Sequence, residues 1–412
     1  MRRRTLALVV VAFAVRIAAI AAFGFERVEF GDARDYLDTA GALCATGSYP
    51  AQGNLPFFRA PGLPFFIAAV TACHPQNVVL VKLALTLVDS LTVALIVALS
   101  FALLRSPAAA LLAGLAAAFH PLFIVGVTDI RTEPLFMFFF WSAATLVAAF
   151  RPAAASPPLP KRRLASPQPI VLAGACLAMA TLTRPVTLIF VPLFLLATRK
   201  RMLFALGFVA VLLPWTARNY ARYGEVILIN NAGGYSLWRG THPEMARIYD
   251  IDDRDAFHRA SIEFEEQITK PATRKFRSSA EWRDDALANI RKHPRLEAKF
   301  ALKKALLYWR PWLNPQEYST RVVMVSGIAF VALYALAILG FARMPRTMVL
   351  WIAAFFVLGW LAHIPHQVVA RFRYPLTDPL LLIAAAYAIV TLRTGAGDDR
   401  SGDTSARPTR AS

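Results

Sequence analysis

The feature that most constrains this chain is the recurrence of apolar runs long enough to cross about 30 Å of hydrocarbon, which takes roughly 17–25 residues as a helix. Such runs fall at residues 5–25, 77–104, 107–127, 134–150, 168–182, 185–198, 202–217, 321–342, 347–362 and 376–392, separated mostly by short charged or proline-rich breaks. Backbone polar groups in lipid must be satisfied internally, so helices are expected throughout. Composition agrees, with 57% apolar and only 17% charged residues, which excludes a soluble chain of 412 residues. The expected fold class is an all-α polytopic membrane protein of about ten transmembrane helices. The first run follows Arg2, Arg3 and Arg4 and is long for a signal-peptide core, so it reads as a retained anchor.

Lys and Arg concentrate in loops that stay on the cytoplasmic side. Arg2–Arg4, Arg105, the segment 151–167 with Lys161, Arg162 and Arg163, the triplet Arg199, Lys200 and Arg201, the pair Arg343 and Arg346, and the tail after Arg393 all fall on one side with these spans. Both termini are then cytoplasmic. The net charge of +19 is largely topology and lipid contact, and no nucleic-acid partner is expected. Four segments face the other side: 26–76, 128–133, 218–320 and 363–375. The chain thus divides into a membrane module at 1–217 that includes the outer segment 26–76, an extracytoplasmic loop domain at 218–320, C-terminal membrane helices at 321–393 and a disordered tail at 394–412.

Chemistry is expected on the outer side, above all in residues 31–66. This stretch gathers Asp32, Asp35, Asp38, Tyr36, Tyr49 and the run Arg59, Ala60, Pro61 between near-continuous apolar sequence. Residues 59–73 are apolar but too short to span, and read as a helix lying at the interface. The long loop carries 18 basic and 14 acidic residues, and its end from Trp282 to Trp312 has the spacing of one amphipathic helix resting on lipid. Asp89 reads as a packing residue inside the bundle, with Arg16 and Lys82 nearer span ends. Cys44 and Cys73 share the first outer segment and read as two separate thiols, with a disulfide as the alternative. His363 and His366 lack a third ligand nearby and read as interfacial histidines rather than a metal pair.

Several fragments together resemble the GT-C glycosyltransferases, closest to the bacterial protein O-mannosyltransferase-like and family 39 branch that also includes the lipid A aminoarabinose transferases. These fragments are Gly31, Asp32, Asp35 and Tyr36, with Ala40, Leu43, Gly47 and Tyr49; Arg59, Ala60, Pro61, Gly62 and Pro64; Asp129 with Thr132, Glu133, Pro134, Leu135 and Phe136; and Leu182 to Pro185. Pro214, Trp215, Arg218 and Asn219 follow, then Asn231, Gly233, Gly234, Tyr235, Leu237, Trp238 and Gly240, and finally Arg371, Arg373, Pro375 and Pro379.

The resemblance implies an integral membrane enzyme of the bacterial plasma membrane. Such an enzyme moves a sugar from a polyprenyl-phosphate carrier to a lipid, glycan or protein acceptor on the extracytoplasmic face, with inversion. Asp32 takes the position of the catalytic aspartate, four residues before Tyr36, and desolvation at the lipid boundary is expected to raise its basicity. Arg59, Arg371 and Arg373 are the expected ligands of the donor phosphate, for which guanidinium groups are suited. Asp129 or Glu133 completes the acidic side of the pocket. Tyr36, Tyr235, Trp238 and Arg218 are further pocket candidates, Tyr235 and Trp238 being presented by a turn at 230–234 with faces suited to a sugar ring. No cofactor is expected; a divalent metal lacks support, because Phe58 stands where aminoarabinose-branch relatives carry an acid. A transporter or flippase of lipid-linked saccharide is the alternative from another class, and a non-catalytic envelope-assembly protein a third.

Overall fold

A computed structural model describes residues 1–29, 31–50, 59–149, 167–275, 278–316, 318–366, 368 and 370–395. The basic loop at 151–166, most of the tail expected at 394–412 and the departure at Phe58 lie outside the described residues. The helices are α1 Arg2–Phe23, α2 Gly31–Thr46, α3 Gly62–Val70, α4 Val78–Leu104, α5 Pro107–Ala118, α6 Pro121–Gly126, α7 Glu133–Ala149 and α8 Gln168–Thr183. After a 3-10 turn at Pro185–Phe190 come α9 Val191–Ala197, α10 Arg201–Tyr223, α11 Gly233–Gly240, α12 Pro243–Ile248, α13 Arg254–Phe264, and, after a π turn at Glu265–Thr269, α14 Lys270–Lys275. The chain closes with α15 Ser279–Lys292, α16 Pro294–Tyr308, α17 Thr320–Arg343, α18 Arg346–His363 and α19 Ala370–Thr394.

Six of these helices are long and apolar enough to cross a membrane, namely α1, α4, α10, α17, α18 and α19 from Arg371 onward. Four shorter apolar stretches, α5, α7, α8 and Pro185–Ala197, occupy the remaining expected spans. The chain is therefore an all-α polytopic bundle, as expected. The span expected at 107–127 is broken: Pro121 begins a new helix after His120, so α5 and α6 take the place of one continuous crossing. Local chemistry sets other boundaries. Asn77 caps α4 by accepting from the Leu80 N–H at 3.1 Å, and Ser106 caps α5 ahead of Pro107 by accepting from Ala109.

Two expectations for the outer face are corrected. The helix at 62–70 does not simply lie on lipid: Gly62, Leu63, Pro64 and Ile67 are buried, and a Cβ at Gly62 would sit 2.5 Å from the Thr183 hydroxyl of α8. The Trp282–Trp312 segment is two helices, because Pro294 starts α16 after His293. Trp282 and Phe300 join Trp238, Met245, Ile248 and Phe264 in a separate core of the outer loop, so packing takes most of the apolar face. Leu302 and Leu306 of that segment remain outward.

Within the bundle, close packing depends on small residues. Gly174 of α8 and Gly207 of α10 interlock: a Cβ on either would lie within about 2.0 Å of a carbonyl oxygen, Phe204 O or Val171 O. Asp89 packs inside, as expected, and its charge is met by Arg16, whose Nε donates at 2.5 Å. The same guanidinium donates to the carbonyls of Ala12 and Ala118 at 3.1 and 3.0 Å, so one fully buried cation ties α1, α4 and α5. Helix α19 runs through the middle, largely buried. Trp141 of α7 donates its indole N–H to Pro375 O at 2.9 Å, an acceptor freed because Pro379 has no N–H to offer.

Arg16→Met strands a buried carboxylate and is expected to cost about 3–5 kcal/mol. Its thermal midpoint in detergent should fall below that of Arg16→Met/Asp89→Leu, which removes both charges; the reverse order would contradict this role for the pair.

Candidate active site

Asp32 stands in the first turn of α2, where backbone N–H groups and the helix dipole favour a carboxylate. Two arginines from distant parts of the chain share it. Arg59, just ahead of α3, donates from Nη2 to Asp32 Oδ1 at 2.7 Å, and Arg371, at the start of α19, donates from Nη2 to Oδ2 at 3.1 Å. Arg59 also reaches Asp35 Oδ2 at 2.5 Å and lies over the Tyr36 ring, 5.4 Å from its centroid. Asp35 is thus a second carboxylate on the same cation, at the rim and about half exposed.

Burial pushes the Asp32 carboxyl up, but Arg59 and Arg371 together outweigh burial and hold it below its ordinary value of 3.8. This corrects the expectation of raised basicity: the resting carboxylate is a weaker base than a free one.

Behind this cluster lies a supporting layer. Tyr49 donates its hydroxyl to Arg59 O at 3.0 Å and meets Trp215 edge-on at 5.1 Å. Arg218 donates to Tyr49 O at 3.0 Å and lies over Trp215, so it acts on Arg59 through Tyr49. Glu133 is buried at the start of α7, 3.3 Å from Arg184 and within electrostatic range of Arg371. Arg184 sits between the rings of Phe136 and Phe372, at 5.6 and 5.3 Å from their centroids. Asp129 instead accepts the backbone N–H groups of Glu29 and Ile130 at 3.2 and 2.8 Å, which ties the first two outer segments together. Of the two acids left open by the sequence, Glu133 is paired with Arg184 beside the cluster.

Arg373 is not at the site. It points into the bundle, donates to Arg310 O at 3.0 Å and to the Tyr334 hydroxyl, and lies 3.7 Å from Asp378, which is 3.3 Å from His120. Trp238 is buried in the outer-loop core, donating its indole N–H to Asp285 at 2.7 Å, and offers no open face to a sugar. Tyr235 packs edge-on against Trp282 at 5.0 Å and accepts from Arg239 at 3.2 Å; it lies within electrostatic range of Arg59. His363 is buried, with Nδ1 2.6 Å from Gly359 O. Among the described residues no group of three or more His, Cys, Asp or Glu side chains is placed to hold a metal.

Cys44 and Cys73 form a disulfide, with Cα atoms 5.4 Å apart, where separate thiols were expected. The bond fastens the end of α2 to the residues after α3, so Asp32 and Arg59 are carried on two arms closed at their base. A cavity of about 610 Å³ opens on the far side of Arg371, lined also by Arg131, Lys303, Arg310 and Asp252, with Tyr249 and Asn314. A larger cavity lies at the opposite end of the bundle, beneath Arg199–Arg201, and is not part of this site.

Neither a family model nor a curated protein matches the chain. Among solved structures it is similar to the oligosaccharyltransferase of Archaeoglobus fulgidus in its apo form, at 14% identity and a TM-score of 0.57, over 95% of this chain and 51% of that one. It is also similar to the same organism's archaeal oligosaccharyltransferase AglB in complex with an inhibitory peptide and a dolichol-phosphate, at 12% identity and a TM-score of 0.54, over 99% of this chain and 52% of that one. The chain thus spans about half the length of those proteins. ArnT from Cupriavidus metallidurans bound to undecaprenyl phosphate matches at 16% identity over 95% of this chain and 79% of that one, with a TM-score of 0.43. The chain shares the fold of the Archaeoglobus oligosaccharyltransferase.

Closing a 29-residue loop by a disulfide is worth about 3–4 kcal/mol in the chain-entropy account. Reductant, or Cys44→Ser/Cys73→Ser, should therefore lower the thermal midpoint by several degrees; an unchanged melt would show that the bond does not restrain this loop.

Proposed function

We propose that the chain is a membrane glycosyltransferase that moves a sugar from a polyprenyl-phosphate carrier to an acceptor on the extracytoplasmic side of a bacterial plasma membrane. The observation that carries this reading is one carboxylate, Asp32, shared by two guanidinium groups at the edge of a cation-lined cavity. Such a cluster holds a base and phosphate ligands within one reach. One structure of the same fold, solved with dolichol phosphate, supports the donor class.

In the proposed reaction the carrier phosphate enters beside Arg371 and draws its guanidinium, and that of Arg59, away from Asp32. Phosphate is the better partner for a planar cation because it offers more oxygen atoms and more charge. Freed of its cations, Asp32 loses the influence that lowered its pKa while the burial that raises it remains, so donor binding itself restores the base. An acceptor hydroxyl then gives its proton to Asp32 as its oxygen forms a bond to the anomeric carbon. The bond from that carbon to the phosphate oxygen breaks on the opposite face, inverting the configuration, and the electron pair leaves with polyprenyl phosphate. Arg59 and Arg371 meet the charge that grows on the leaving oxygen. Glu133 and Arg184 position Arg371, and Arg373 anchors its helix.

A carrier flippase would also need cations for phosphate. It is disfavoured because the cluster lies at one end of the bundle, whereas transporters place their sites near the midplane.

Purified protein supplied with candidate polyprenyl-phosphate sugars should release free carrier phosphate. Asp32→Asn should lower that rate by about 10²–10⁴, the usual share of a positioned base. Arg373→Ala should act mainly by lowering the thermal midpoint. Normal turnover by Asp32→Asn would refute the assignment.

The lowered pKa sets a pH dependence. The ion pairs of Asp32 stabilise the fold above its ordinary 3.8 and are lost as pH falls through the lower folded value. In kcat/KM, which reports the free enzyme, the acid limb of Asp32 should therefore lie below that value. Arg371→Ala should raise it; a limb unmoved by this change would exclude Asp32 as the base.

A further inference from the structure

A cavity of about 1100 Å³ has no part in the site above. It opens between α4, α7, α9, α10, α18 and α19 at the other end of the bundle. Ala148, in its wall, is fifteen residues beyond Glu133 along α7, about 22 Å at 1.5 Å per residue.

Its chemistry is divided. The deep part is apolar, with Trp141, Phe355 and Leu380. The mouth carries Thr198 and three successive cations, Arg199, Lys200 and Arg201, and among the described residues no Asp or Glu lines it. A basic triplet at a span's end is accounted for by topology. A deep apolar chamber directly beneath the triplet is not, because topology requires charge alone.

We propose that this cavity is a binding site for an anionic glycerophospholipid of the leaflet opposite Asp32. Its phosphate is held by Arg199, Lys200 and Arg201, and its acyl chains lie against Trp141, Phe355 and Leu380. Charge complementarity selects the occupant: basic pockets between helices on the cytoplasmic side match anionic headgroups, and the apolar depth excludes a soluble anion. The site also touches the catalytic helix. Trp141 lines the cavity and donates to Pro375 O, while Leu380 lies on α19 itself, the helix that carries Arg371. An acyl chain packed there braces α19 from behind.

The test is native mass spectrometry of the full chain in mild detergent, with phosphatidylglycerol or phosphatidylcholine of identical acyl chains added. The wild type should retain phosphatidylglycerol at least tenfold over phosphatidylcholine. Arg199→Ser/Lys200→Ser/Arg201→Ser should cut that retention at least fivefold, and so should Ala148→Phe, which fills the chamber and leaves the rim intact. The charge-matched control Arg2→Ser/Arg3→Ser/Arg4→Ser, at the same end but outside the cavity, should leave it unchanged. Phosphatidylglycerol should also raise the thermal midpoint of the wild type and not of Ala148→Phe. Equal retention of both lipids, an unaffected rim variant, a loss as large in the control, or preferential capture of polyprenyl phosphate over phosphatidylglycerol would each overturn the proposal. The rim variant changes no interior residue, so a folding failure of Ala148→Phe leaves the proposal open to refutation.

Discussion

One carboxylate held by two cations is the interaction on which this structure turns. Asp32, Arg59 and Arg371 come from α2, from the segment before α3 and from α19, the first two 27 positions apart in sequence and the first and last 339. A half-buried charge without a partner is costly, so each of the three is tenable only while the others are in place. The surrounding charges follow the same logic: Asp35 shares Arg59, and Glu133 meets Arg184. Those three acids and three arginines are equal in number, and the adjoining cavity is lined by Arg131, Arg310, Asp252 and Lys303, the last paired with Asp250 at 2.7 Å.

The rest of the fold holds those groups still. The disulfide closes the first outer segment, and Tyr49, Trp215 and Arg218 fix the backbone of Arg59 from behind. Helix α19 carries Arg371 on one side and is pinned from the other by Arg373, Asp378, His120 and the Trp141 contact to Pro375.

Much of this was legible in the chain. Ten apolar runs gave ten apolar helical stretches, because hydrocarbon thickness fixes length and composition together. The first outer segment was recognisable from acids and an arginine between apolar flanks. The arginine pair was less so. Arg371 and Arg373 look alike in sequence, but residues two apart on a helix point about 200° apart, so only one could face the pocket; that spacing was a usable signal. Arg184 was missed as a site residue because it sits between two short spans and reads as a break. The disulfide and the burial of Trp238 depend on how distant segments pack, which local spacing does not report. The lowered pKa of Asp32 likewise required knowing that two cations, not one, converge on it.

The most direct test is a cryo-EM structure of the purified chain with polyprenyl phosphate bound. The account predicts the phosphate within hydrogen-bond distance of Arg371, with Arg59 turned towards it and Asp32 released from at least one of its two ion pairs. A phosphate seated on Arg373, or at the Arg199–Arg201 end with Asp32 still held by both arginines, would contradict it.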